Sequence, residues 1–401
     1  MKRRVAFVIQ RYGPDVSGGA ELHCRWIAEH LAPLVEVDVL TTCAIDVEHW
    51  ANEYPPGVTE LNGVHVHRFV VDPLRDPLRF QAITRRVLTD RRDPLDQWNW
   101  MRTQGPISLD LLRFIAAERD QYNAFIFFTY LYATTFYGLQ LVPDKAILVP
   151  TAHDEPVIYL DIFRPVFNLP RFIIYNTEAE RQFVQRISGN KHVPSAIVGT
   201  GINVPSDVSG DRFRAQYGLD GNLVVYIGRV DPSKNVAELF DYFLDFRAHD
   251  DGDLKLAVMG KGVTPIPSHP DVLSLGFVSE QDKFDGLQAA LALITPSKYE
   301  SLSMTVLEAW LVGTPVLVNG DCEVLKEQCR VSKGGLWYQS KDEFDVALRT
   351  LLTRSDLRGR LAKAGQTFAA ETYAWPHIEN CYLEILANLT PAVSERKAAR
   401  R

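Results

Sequence analysis

The feature that most constrains this chain is an alternation of strands and helices that runs through two cycles. Apolar runs at 4–10 (RVAFVIQ), 35–42, 124–129, 146–151 and 171–177 read as strands, with helical patterns such as Gly19–Leu31 and Thr177–Ile187 between them. A second cycle opens at 223–229 (LVVYIGR) and continues through 254–260, 272–276, 291–297 and 315–320. Strands that alternate with helices pair in parallel and are covered on both faces. Between the cycles, Gly199–Gly210 (GTGINVPSDVSG) lacks an apolar period and reads as a linker. The expected fold class is α/β, with two Rossmann-like domains at 1–205 and 206–374.

Length and charge agree with that division. A chain of 401 residues exceeds one comfortable core. Its 43 Lys and Arg against 50 Asp and Glu give a net charge of -7, which argues against nucleic acid as a partner. The opening MKRRVAFVIQRYGPD has an apolar run ending at Ile9, too short for a signal segment, and no run reaches membrane-spanning length. The five cysteines, Cys24, Cys43, Cys322, Cys329 and Cys381, read as reduced, buried residues of a cytoplasmic protein. One segment breaks the rhythm: 74–106 concentrates seven arginines with Trp98 and Trp100. Its simpler reading is a solvated helix and loop. Its sharper reading is a surface that meets an anionic substrate or, peripherally, the inner face of a membrane. The final PAVSERKAARR reads as a basic, frayed tail.

Four stretches carry chemistry. In QRYGPDVSGGAEL, Gly18 and Gly19 sit at a strand-to-helix turn, where free N–H groups and the positive helix end suit an anion. The turn lacks the G-x-G-x-x-G fingerprint, so a nicotinamide or flavin is disfavoured, and the glycines alone need only make the turn. In YIGRVDPSKN, Gly228 and Arg229 end a strand and Lys234 follows at a helix start, a cation pair suited to a diphosphate. The alternatives are a solvated Lys234 and an Arg229 paired with an acidic neighbour. In PTAHDEP, His153 lies just past a buried strand, where it can donate to an oxygen or move a proton. In PSKYESLSMTVLEAW, Glu300 sits in a turn and Glu308 in an apolar helix of about 304–312, capped by Ser301 or Ser303. Vicinal ribose hydroxyls would satisfy both Glu308 oxygens, and Glu300 would similarly hold sugar hydroxyls; a structural ion pair is the alternative for each.

Together GGAE, GRVDPSKN and the E-x7-E of YESLSMTVLEAW, followed by GTPVL, resemble the retaining glycosyltransferases of the GT-B fold, glycosyltransferase family 4. The resemblance spans almost the whole chain and takes in TAHDE and the late ETYAWPHI. It implies two Rossmann-like domains facing across a cleft, with the helix at about 375–390 packing back on the first. It implies that Gly18, Gly19, Gly228, Arg229 and Lys234 contact a donor diphosphate, that Glu300 binds the donor sugar and that Glu308 binds the ribose. His153 lines the reaction centre, Phe277 and Val278 in GFVSEQD pack against the base, and Ser301, Leu302, Ser303, Met304 and Thr305 border the donor. Many members carry glycines after the first Glu, where this chain has Ser301 and Ser303, so the sugar is not fixed by the motif.

The expected activity is metal-independent, retaining transfer from a UDP- or GDP-sugar to a glycan, lipid-linked or small-molecule acceptor, in polysaccharide or glycoconjugate synthesis. No cofactor and no metal are expected. Rival readings are a nucleotide-sugar epimerase, a non-catalytic two-domain sugar-binding protein, and a metal-dependent transferase using Asp250, Asp251 and Asp253. His65 and His67 share a strand face and offer a metal pair, though an exposed face is the simpler reading.

Overall fold

The computed structural model describes residues 3–90, 93–250 and 252–389. The chain divides into two compact units, one running to Gly201 and resuming at Trp375, the other spanning Ile202–Ala374. The first crossing thus falls in the expected linker, four residues ahead of 205.

The first unit is built on eight strands: β1 (Arg4–Val8), β2 (Glu36–Thr42), β3 (Gly57–Leu61), β4 (Val64–Phe69), β5 (Ala124–Phe128), β6 (Ala146–Val149), β7 (Phe172–Tyr175) and β8 (Ser195–Ile197). Their order is β3-β4-β2-β1-β5-β6-β7-β8. All pairs are parallel except the β3/β4 hairpin. In β1 the residues Val5 to Val8 are fully buried, as a strand with helices on both faces requires. The helix Gly19–Leu31 buries Cys24, Ile27, Ala28 and Leu31, one stripe at helical spacing.

The helix Trp375–Leu389 completes this unit by burying Ile378, Tyr382, Ile385 and Leu386. Trp375 stacks on His30 with ring centroids 3.4 Å apart, and His30 Nδ1 lies 3.0 Å from Glu379 Oε1. Gly201 makes room for that tryptophan, because a Cβ there would lie 2.4 Å from its ring.

The second unit has six strands: β9 (Asn222–Ile227), β10 (Leu254–Met259), β11 (Val272–Gly276), β12 (Ala292–Thr295), β13 (Val316–Asn319) and β14 (Gly335–Tyr338). All are parallel, in the order β11-β10-β9-β12-β13-β14. Counted from β9 this is 3-2-1-4-5-6, the doubly wound Rossmann order. The first unit repeats it, with β4-β2-β1-β5-β6-β7 as its 3-2-1-4-5-6, the hairpin strand β3 added at one edge and β8 at the other.

Most strands end one or two residues before the apolar runs do, because residues such as Gln10, Thr129, Thr151 and Gly228 already belong to loops at the carboxyl edges. Four cysteines are buried, Cys381 is partly so, and all five are free thiols. Among the described residues no helix is long and apolar enough to cross a membrane. The basic tail from 390 lies outside the described residues.

Candidate functional site

In a doubly wound sheet the strand order reverses between two neighbours, and ligands bind beyond their carboxyl ends. In the second unit those neighbours are β9 and β12. The loop after β9 starts at Gly228, whose φ of 147° is a conformation that favours glycine. Asp231 caps a short turn, Pro232–Lys234, by accepting from Ser233 N at 3.0 Å. Arg229 lies 3.2 Å from Asp231 and its side chain is 66% exposed, so its guanidinium faces outward. Lys234 reaches across to the loop after β12, where its Nζ donates to Glu300 Oε1 at 2.6 Å. Three of the residues expected at the site, Arg229, Lys234 and Glu300, therefore converge on the switch point.

The helix after that loop is Met304–Leu311, one residue shorter than expected. Ser303 is its N-cap residue but makes no side-chain cap bond; its hydroxyl lies 3.2 Å from Thr305 Oγ1. The first-turn N–H groups therefore lack a side-chain cap. Leu302 packs inward, while Met304 and Thr305 are half-buried. Glu308 is 2% exposed, and its apolar neighbours are as expected. Its partner is Lys283, whose Nζ lies 2.8 Å from Oε1 and also 2.8 Å from Glu280. Burial raises the Glu308 carboxyl above its usual range despite the ammonium beside it. Lys283 is held above its ordinary value by Glu308 and Glu280, against its own burial. The second oxygen, Glu308 Oε2, is buried without a hydrogen-bond partner. A buried, unpaired carboxylate oxygen is costly and is satisfied by a hydroxyl donor.

Phe277 and Val278 follow β11 at the same sheet edge. Phe277 is 70% exposed, an unusual position for an aromatic ring, and Lys261 Nζ lies 5.6 Å from its centroid. Lys261 comes from GKG (260–262), whose glycines let the loop lie on the backbone after β9. A Cβ on Gly260 would fall 1.8 Å from Gly228 O.

The first unit holds the remaining expected residues. Gly18 has φ 153°, and a Cβ there would meet the Glu21 carboxylate at 2.2 Å, whereas Gly19 faces open space. Glu21 accepts from Arg11 at 2.5 Å and Gln10 at 2.9 Å, a buried pair at the helix start that the sequence reading passed over. His153 is half-buried with Nδ1 3.8 Å from Glu155 Oε1, which in turn accepts from Tyr130 Oη at 2.5 Å. Its loop is tightly held. Thr129 and Thr151 adopt φ of 61° and 47°, rare for β-branched residues. The buried Glu180 accepts from Ala152 N and Asn176 N, each at 2.6 Å. Glu180 too was passed over, although Thr177-x-x-Glu180 has the spacing of a capping box.

Three of the residues offered as metal alternatives, Asp250, His65 and His67, are engaged elsewhere. Asp250 pairs with Arg247 and Arg349, and Asp251 lies outside the described residues. His65 and His67 both turn toward Asp38, at 3.3 and 3.8 Å. The His67 side chain is only 14% exposed, so the expected exposed face is half-covered. Burial acts to raise Asp38, but His67, Tyr122 and Arg4 hold it down at about 2. The 74–106 segment forms two helices, Pro77–Thr89 and Pro94–Gln104, rather than a helix and loop, with Arg91 and Arg92 outside the described residues.

Residues 210–368 match the family profile described as glycosyl transferases group 1. A relative from Methanocaldococcus jannaschii, named an uncharacterized glycosyltransferase, is 23% identical over 420 aligned residues, 94% of this chain and 95% of that one. Sucrose-phosphate synthase from Thermosynechococcus elongatus has a similar structure, with TM-score 0.73, 17% identity and coverage of 97% and 99%. Anabaena HepE, solved with UDP and glucose, gives TM-score 0.68 at 15% identity, covering 96% of this chain and all of that one. At those identities the likeness is one of fold, and that fold is GT-B.

Proposed function

We propose that this chain moves a sugar from a UDP- or GDP-sugar to an acceptor hydroxyl, retaining the anomeric configuration, a reading supported by the match of residues 210–368 to the glycosyl transferases group 1 profile. The observation that carries this is the switch-point cluster: Lys234 on Glu300 at 2.6 Å, in one unit with a buried Glu308 whose Oε2 lacks a donor. An ammonium has three donors, and Glu300 takes one, leaving two for phosphate oxygens. Glu300 holds the sugar hydroxyls, Glu308 the ribose, and the exposed Phe277 ring with Val278 the base. Ser301 and Ser303, in place of glycines, bear on which sugar is accepted.

As the glycosidic bond breaks, negative charge grows on the diphosphate. Arg229, Lys234 and the uncapped N–H groups at Met304 and Thr305 offset that charge, the task a metal performs elsewhere. The anomeric carbon becomes oxocarbenium-like, and the acceptor attacks from the face the phosphate leaves. By the family resemblance, His153 is assigned the role of orienting the sugar, and Gly18 and Gly19 that of meeting the donor phosphates. Activity in excess EDTA is expected to be undiminished.

Lys234→Ala is expected to lower kcat by about 10²–10³-fold, the usual loss on removing one donor to a developing anion. Steady-state assays with the cognate nucleotide sugar check this, and unchanged turnover would remove Lys234 from the reaction. Proton NMR of the first product formed distinguishes retention from inversion.

A further inference from the structure

The ladder between β6 and β7 is short, Ile147 with Phe172 and Leu148 with Ile173, and the loops that follow these strands lie outside it. A carboxyl group joins those loops. Glu180, 1% exposed on the helix Glu178–Ser188, accepts from Ala152 N after β6 with one oxygen and from Asn176 N after β7 with the other, each at 2.6 Å. Thr151, with φ 47°, leaves β6 through a conformation that a threonine resists, and the bond at Ala152 holds the chain directly beyond it. The far side of the same loop is held separately. Glu155 N donates to His153 O at 2.8 Å, and Glu155 Oε1 accepts from Tyr130 Oη at 2.5 Å. His153 therefore sits between two fixed points, Ala152 before it and Glu155 after it.

Helix capping alone does not account for this carboxyl. A capping box needs Glu180 to reach back only to the N–H of Thr177, its N-cap residue. Here it also reaches Ala152, 28 residues away in sequence. The groups that hold it are backbone N–H donors, from Ala152, Asn176 and Thr177, and among the described residues no cation pairs with it. Burying an acid in that way is costly, so a residue chosen for stability alone would not be an acid. Both of its oxygens are used. A glutamine would offer one oxygen, and its NH2 would have to face one of the two backbone N–H groups.

We propose that Glu180 is a positioning residue for the transfer reaction: by joining the backbone after β6 to the backbone after β7, it fixes the 151–155 loop and, through it, the side chain of His153. This role rests on the transfer reading above, in which His153 orients the sugar, and Glu180 acts only through the loop.

The test combines steady-state kinetics, using the cognate nucleotide sugar, with hydrogen exchange on the full chain, Glu180→Gln, His153→Ala and the double variant. Glu180→Gln is expected to lower kcat by about 10–10²-fold, the scale of a displaced catalytic group, and to leave KM for the donor within about twofold. Its 151–155 amides are expected to exchange faster, while those of the Pro232–Lys234 turn do not. In the His153→Ala background the same change is expected to cost nothing further, because the loop then has no imidazole to place. Glu178→Gln, on a residue of the same helix that pairs with Arg181, is expected to keep the wild-type kcat. Should Glu180→Gln fail to fold, Glu180→Asp, whose shorter stem does not span both amides, takes its place. Wild-type kcat in Glu180→Gln, a loss that multiplies with that of His153→Ala, a donor KM that rises in step, or unchanged exchange overturns the positioning role and leaves the transfer reading standing. Wild-type turnover in His153→Ala overturns it too, by removing the residue it places. If the unaltered chain turns over no nucleotide sugar, the transfer reading fails, and the positioning role fails with it whichever way exchange goes.

Discussion

Glu308 lies among Val306, Leu307, Ala309 and Trp310, and its charge is tolerated because Lys283, 25 residues upstream in sequence, reaches it. Removing the lysine leaves a buried carboxylate uncompensated. Lys283→Met is therefore expected to cost about 3–5 kcal/mol, and adding Glu308→Leu to recover most of it. Urea denaturation of the single and double variants checks both. Glu180 supplies a pH dependence. Burial holds its carboxyl at about 8, against three backbone N–H donors that act to lower it. An unfolded carboxyl titrates near 4.5, so the folded chain keeps this proton longer. The stability this contributes is complete below about pH 4.5 and lost as pH rises through 8. Stability curves measured from pH 4 to 9 are expected to flatten over that window in Glu180→Gln. At this scale the sequence disclosed the acids but not their partners. Lys283 and Ala152 meet Glu308 and Glu180 only because separate helices and loops pack together, and no local period encodes such a pairing.

Elements were legible where their apolar period was long. Helix Gly19–Leu31 and strand β11 have the bounds expected of them, and eight further strands lie inside their apolar runs. The three-residue β8 is too short for a period, β14 buries only its end residues Gly335 and Tyr338, and β3 is exposed on both faces. Packing between elements was not legible either. The helix Ser355–Thr372 contains two glycines with opposite roles. A Cβ on Gly365 would lie 2.4 Å from the buried Trp310 ring, whereas one on Gly359 meets nothing within 4 Å. Gly359→Ala is therefore expected to stabilise by about 0.5–1 kcal/mol, as alanine usually does in a helix. Gly365→Ala is expected to destabilise by about 1–3 kcal/mol through overpacking. Thermal unfolding of the two variants gives shifts of opposite sign if the helix packs on Trp310 as described.

At the scale of the whole molecule, one chain builds the 3-2-1-4-5-6 order twice and returns its last helix to the first unit. The strand–helix alternation announced the two sheets, while the strand order that sets each switch point came from the structure. The return of Trp375–Leu389 followed from the family resemblance rather than from any periodicity. The account's central claim is that the β9/β12 switch point holds a nucleotide diphosphate sugar through Lys234, Glu300 and Glu308. Calorimetric titration with UDP, GDP, ADP and TDP sugars tests it most directly, on the wild-type chain and on Lys234→Ala and Glu308→Ala. The account predicts that at least one of these donors binds the wild type, with affinity reduced tenfold or more in each variant. Donor binding equal in all three proteins would contradict it, as would binding of none of the four.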